Sequence, residues 1–96
     1  MTIVVATLYK FIKLAEAVPL EHRQSSLLSY CQAQGVKGTI LLAAEGINGT
    51  IAGTRQAIDA VLSYLRTDPL FADLEHKESY TDTPPFARMK VRLKKK

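Results

Sequence analysis

Ninety-six residues, 47% of them hydrophobic, suffice for one packed domain with one core, and the composition is that of a folded chain rather than a disordered one. No apolar run approaches the roughly 20 residues that cross a bilayer. The start, "MTIVVATLYKFIK", has neither the basic region nor the small-residue cleavage site of a secretory signal, and the lone Cys31 can form no internal disulfide, so a cytoplasmic protein without a membrane partner is expected. Net charge is +4, yet Arg88, Lys90, Arg92, Lys94, Lys95 and Lys96 crowd the C-terminus, and the remaining seven bases face nine acids. The basicity belongs to one segment. It suits either an anionic partner or a strand edge kept soluble by lysines.

In chain order, "IVVATLYKF" is β-branched and aromatic without a breaker and predicts a buried strand. Pro19 suits a first helical position, and Leu20, Gln24, Leu27, Leu28 and Cys31 keep helical spacing up to Gly35, a favourable residue just past a helix end. "VKGTILLAA" and "INGTIAG" read as second and third strands. Thr54 can cap a second helix in which Ile58, Val61, Leu62 and Leu65 form one apolar stripe. Asp68-Pro69 ends it, and Leu70, Phe71 and Leu74 fold a short turn back onto the core. "EHKESY" is a weaker extended segment, "TDTPP" a loop, and "FARMKVRLK" a strand of strict alternation.

The resulting order, β-α-β-β-α-β, predicts an α+β, ferredoxin-like (acylphosphatase-like) sandwich: an antiparallel sheet with two helices on one face. In that arrangement the final strand is expected beside the first, at an edge. Its Arg88, Lys90, Arg92 and Lys94 point outward and its Met89, Val91 and Leu93 face the helices.

The segment "AAEGINGTIAG" (residues 43–53) joins strands two and three, and its first task is a hairpin. Gly46 and Gly49 are expected at positive φ, with Asn48 tolerant of it, and Glu45 and Asn48 exposed as a candidate interface. The lysine followed by Ser or Thr of a P-loop is missing, and no histidine partners Glu45 for proton transfer. Cys31 lies on the apolar stripe of the first helix and reads as an inert small hydrophobe. His22 and His76 lack ligands at metal-binding spacing, so no metal is expected; the residues imply no bound cofactor either. Tyr9 and Phe11 share one register of the first strand and could form a stacking platform on an open sheet face or pack under the helices. Acylphosphatases share the topology, but as a family they carry a phosphate-binding arginine after strand one and an asparagine on strand two. "KLAEAVP" and "KGTILLAA" offer neither. A small acylphosphatase-type enzyme is the least favoured reading.

"LYKF", "GVKGTILLAAEGINGTIAG" and "PPFARMKVRLKK" together resemble the N-terminal domain of the rhodanese-related tRNA uridine 5-hydroxylase family, over nearly the whole chain. The resemblance implies that residues 1–96 form one domain of a longer protein whose C-terminal rhodanese domain is absent from this sequence. It further implies that the complete protein performs oxygen-dependent 5-hydroxylation of the wobble uridine of tRNA. Cys31 does not correspond to the rhodanese active-site cysteine. The expected role of the chain is a non-catalytic tRNA-positioning or domain-docking module. Its expected partners are tRNA, bound weakly through Arg88, Lys90, Arg92 and Lys94, and the rhodanese domain; a purely structural domain is the alternative.

Overall fold

A computed structural model describes residues 2–13 and 20–94. Its elements are β1 (Ile3–Phe11), α1 (Leu20–Gln34), β2 (Lys37–Ala43), β3 (Gly46–Gly53), α2 (Arg55–Arg66), a 3₁₀ turn (Pro69–Phe71), β4 (Glu75–Thr81) and β5 (Met89–Leu93). Pro19, expected to open the first helix, and most of the "KLAEAVP" loop lie outside the described residues.

The five strands form one sheet in the order β4-β1-β3-β2-β5. The strand pairings of the expected α+β ferredoxin-like fold are met by β1 to β4: β1 lies antiparallel between β3 and β4, and β2 antiparallel to β3. The place beside β1, however, belongs to the "EHKESY" segment and not to the final strand. β5 is an additional fifth strand, parallel to β2 at the opposite edge, so the sheet is mixed and not purely antiparallel. The expectation that the last strand lies beside the first is thereby corrected. With the β1 edge taken by β4, residues 82–88 allow the crossing to the other edge. Four strand spacings separate the two edges, about 19 Å. Seven residues at roughly 3.3 Å each cover that distance, and Pro84-Pro85 favour the extended path.

Helical caps follow the sequence. The Thr54 hydroxyl accepts the Ala57 amide at 3.0 Å at the start of α2, and the Asp68 carboxylate accepts the Leu70 amide at 3.0 Å where the 3₁₀ turn begins. Gly35, at φ +75°, ends α1.

One face of the sheet is covered. Val4, Ala6 and Leu8 of β1, Ile40 and Leu42 of β2, Ile47 and Ile51 of β3, and Met89 and Val91 of β5 meet Leu27 and Cys31 of α1 and Ile58, Val61, Leu62 and Leu65 of α2. Each fully buried Leu or Ile stabilises by about 1.5–3 kcal/mol. Burial pushes the Cys31 thiol up to about 12, so it carries no thiolate at neutral pH, as its place on the apolar stripe implies.

Specific contacts hold the helices down. Gln24 donates to the Val91 carbonyl at 2.6 Å, tying α1 to β5. Tyr30 and Tyr64 stack with centroids 4.2 Å apart, joining the two helices. On the other side, Arg55 of α2 grips both Glu78 oxygens at 2.8 and 2.6 Å. Arg66 donates to Nδ1 of His76 at 3.1 Å, which leaves the ring proton on Nε2 to donate to Glu78 at 2.9 Å. Arg55 above all, and His76 after it, hold the Glu78 carboxyl down to about 2. This network lets β4 turn three polar or aromatic side chains, His76, Glu78 and Tyr80, toward the helix side of the sheet.

Candidate nucleic-acid interface

The other sheet face is uncovered by any described element, and strand register sorts its residues into rows. Val5 pairs with Ala52, Thr7 with Thr50, Tyr9 with Asn48 and Phe11 with Gly46. Across β3 these continue to Lys37, Thr39, Leu41 and Ala43 of β2. Beyond β2, Lys90 aligns with Thr39 and Arg92 with Leu41. Backbone hydrogen bonds from Gly38 to the Arg88 carbonyl and from Lys94 to the Leu42 carbonyl, both 2.8 Å, extend the ladder by one residue at each end.

The outward set predicted for the last strand is therefore present. Arg88, Lys90, Arg92 and Lys94 are exposed, while Met89 and Val91 are buried and Leu93 is half-buried. The four cations stand about 6.6–6.8 Å apart along the strand. Their position differs from expectation, since they flank β2 rather than β1.

The hairpin is tighter than the glycine pattern suggests. Its turn is Ala44 and Glu45, between the paired Ala43 and Gly46. Gly46 sits at φ +143°, and a Cβ there would collide with the Lys10 carbonyl oxygen of β1. Gly49 does not adopt positive φ, contrary to expectation, and neither does Asn48. Both lie inside β3, where Gly49 is needed for another reason. A Cβ on it would meet the Thr39 carbonyl oxygen and come within 2.7 Å of the Ile40 Cα, because β2 passes close against β3 there.

Glu45 projects beside the end of β5 and pairs with Lys94, oxygen to nitrogen 3.2 Å, both side chains more than half exposed. Its own carbonyl accepts the Ile12 amide at 3.0 Å. In the sequence Glu45 and Lys94 stand apart as a hairpin residue and a basic-strand residue; the parallel placement of β5 brings them together. Asn48 is exposed on the sheet surface between Tyr9 and Leu41.

Of the two arrangements open to Tyr9 and Phe11, the open face holds. Tyr9 is half-buried there, and Phe11 is 80% exposed. Small residues, Gly46 and Ala43, lie beside Phe11, so the surface sinks between its ring and Lys94 and continues as a shallow depression past Asn48 toward Phe86 and Arg92.

Elsewhere, a groove of about 420 Å³ lies between α1, α2 and the 3₁₀ turn. Its charged groups answer each other: Arg23 pairs with Asp68 and lies 5.8 Å over the Phe71 ring. Burial alone would raise the Asp68 carboxyl, but Arg23 and the Leu70 amide outweigh it and hold it below the usual carboxylate range. Among the described residues, no cluster of three His, Cys, Asp or Glu side chains is arranged to hold a metal ion, and no helix is long and apolar enough to cross a membrane.

Residues 3–96 match the family model of the UPF0176 acylphosphatase-like domain. The proteins named tRNA uridine(34) hydroxylase from Albidiferax ferrireducens and Agrobacterium fabrum are similar to this chain. The first is 54% identical over 90 residues, covering 94% of this chain and 27% of the relative. The second is 56% identical over 91 residues, covering 95% and 28%. The chain thus spans little more than a quarter of the length of these relatives. Among solved structures, a calcium and cyclic diGMP complex of Klebsiella pneumoniae BlrP1 superposes with a TM-score of 0.74 at 18% identity, over 97% of this chain and 24% of that one. BlrB, a BLUF protein in its dark state, gives 0.70 at 17%, over 96% and 70%. These two likenesses are of fold alone.

Proposed function

The chain belongs to the UPF0176 acylphosphatase-like domain family, and from that membership and the charge of its open sheet edge we propose that it is a non-catalytic module that positions tRNA for a longer tRNA uridine(34) hydroxylase. The observation that carries this reading is the exposed row formed by Lys90 and Arg92 on β5 with Arg88 and Lys94 flanking it. Spacing of about 6.6–6.8 Å between neighbours lets several side chains meet successive phosphates of one strand. Arginine can grip a phosphate through two hydrogen bonds, whereas lysine supplies a mobile point charge. The chemistry of hydroxylation then belongs to the remainder of the longer protein, expected to include a rhodanese domain. This module contributes affinity and orientation. A cytoplasmic location follows from a tRNA partner.

The test is a titration of tRNA with this chain at several salt concentrations. Changing Arg88, Lys90 and Arg92 together to Gln leaves Met89, Val91 and Leu93 to pack as before, so the fold is retained. Affinity should fall, and the slope of log affinity against log salt should shallow by roughly 0.7–0.9 per charge removed. A folded triple variant that binds tRNA as tightly as the parent would overturn the proposal. The row would then be a solubilising edge, and docking against the remainder of the longer protein would become the better account.

A further inference from the structure

Resting on the reading of the open face as an RNA surface, we propose that Phe11, supported by Tyr9, stacks an unpaired nucleobase, so that this face takes a single-stranded RNA loop in preference to a duplex. Three observations converge on it. Phe11 is one of two large hydrophobic side chains exposed among the described residues, and it lies on the same sheet face as the β5 cations. A solitary exposed aromatic would need no explanation. This one borders a depression. Its in-register neighbours are the small Gly46 and Ala43, which leave a depression beside the ring, bordered by Leu41, Glu45, Asn48 and Lys94.

The second observation is distance. From β1 to β5 is three strand spacings, about 14–15 Å. A base on Phe11 and its own phosphate cannot reach both ends of that row, but an extended strand crossing the sheet can set its next phosphates against Lys94 and Arg92. The basic row supplies the charge complementary to that backbone.

The third is the chemistry of the floor. Asn48 and Leu41 lie between Tyr9 and Arg92, and the adjoining row runs Thr7, Thr50, Thr39 to Lys90, with the Thr7 and Thr50 hydroxyls 3.3 Å apart. A carboxamide and hydroxyls offer both donors and acceptors to the edges of splayed bases. In a duplex these edges are paired and the bases stacked. A five-stranded sheet face cannot enter the deep, narrow major groove of A-form RNA, so a duplex would meet only the phosphate-binding row.

Fluorescence anisotropy with a short oligouridine and a blunt RNA duplex of equal length tests this on the parent chain, Phe11→Ala, Phe11→Trp and the triple Gln variant of β5. Because the Phe11 ring is exposed, Phe11→Ala leaves the unfolding midpoint in place. Expected is a loss of roughly tenfold to a hundredfold in oligouridine affinity for Phe11→Ala. Its salt slope and duplex affinity should not change, and Phe11→Trp should restore binding. An unchanged oligouridine affinity in Phe11→Ala, or an equal loss on the duplex, overturns stacking. If the triple variant still loses binding in that case, the phosphate-binding role stands and only the base contact falls. A parent chain that binds neither probe overturns both.

Discussion

Substituting Gly46 by valine tests the backbone argument most directly. Two costs add. A β-branched residue forced to φ +143° carries strain of about 1–3 kcal/mol. Its Cβ would also occupy the place of the Lys10 carbonyl oxygen, so β1 must shift away from β3 at the end where the Ile12 amide reaches the Glu45 carbonyl at 3.0 Å. Losing that hydrogen bond adds about 0.5–1.5 kcal/mol. The expected destabilisation is about 2–4 kcal/mol, and for a domain of this size each kcal/mol moves Tm by roughly 4–8 °C. Urea unfolding followed by far-UV circular dichroism gives the midpoint and slope together. Asn48→Ala is the control. Asn48 lies in the same strand with its side chain exposed and ordinary φ, so the change should stay within about 0.5 kcal/mol. A Gly46→Val chain with the parent's midpoint would refute the reasoning, since neither the strain nor the collision could then exist.

Two further predictions concern charge. Glu78 titrates near 2 in the fold against an ordinary 4.5, so its contribution is complete above the ordinary value and is lost as pH falls from there toward 2. Glu78→Gln should therefore weaken the chain near neutral pH and flatten its acid limb, read as urea midpoints at about pH 7 and about pH 3; parallel pH profiles for variant and parent would refute it. Glu45→Gln removes the carboxylate that pairs with Lys94 and should raise tRNA affinity while steepening the salt slope by up to roughly 0.7–0.9. An unchanged titration would show that Lys94 does not meet phosphate.

The elements whose sequence signal is apolar are legible from their residues alone. β1 reads from its β-branched run, and α2 from Ile58, Val61, Leu62 and Leu65 with a threonine cap. β4 is harder to read because its helix-facing positions are His76, Glu78 and Tyr80. His76 and Glu78 are satisfied by Arg55 and Arg66 from another element, a long-range pairing that no local pattern announces. The hairpin shows the converse error. Gly49 and Asn48 carry the composition of a turn, yet they lie within β3, and the reversal is made by Ala44 and Glu45 ahead of Gly46. Glycine signals a turn when it supplies positive φ. At Gly49 it supplies only the room that the close approach of β2 requires.

The edge taken by β5 gives the open face its character. Had the last strand paired antiparallel with β1, its C-terminal end would have lain beside the start of β1, and Lys94 would have stood at the far end of the sheet from Phe11. Running parallel to β2 instead, β5 ends where β2 enters the hairpin and where β1 finishes. Lys94 reaches Glu45 there, and Phe11 lies across Gly46 and Ala43 from it. The three stretches that carry the family resemblance, "LYKF", "GVKGTILLAAEGINGTIAG" and "PPFARMKVRLKK", are far apart in sequence, and each brings residues to this one corner of the sheet: Phe11, Glu45 with Gly46, and Lys94. Packing of the core does not require that meeting, because Phe11, Glu45, Asn48 and Lys94 all direct exposed side chains onto the uncovered surface. An aromatic ring, an amide and a row of cations thus share one surface over a floor cleared by glycine and alanine, and it is this juxtaposition on which the proposed contact with a single nucleic-acid strand rests.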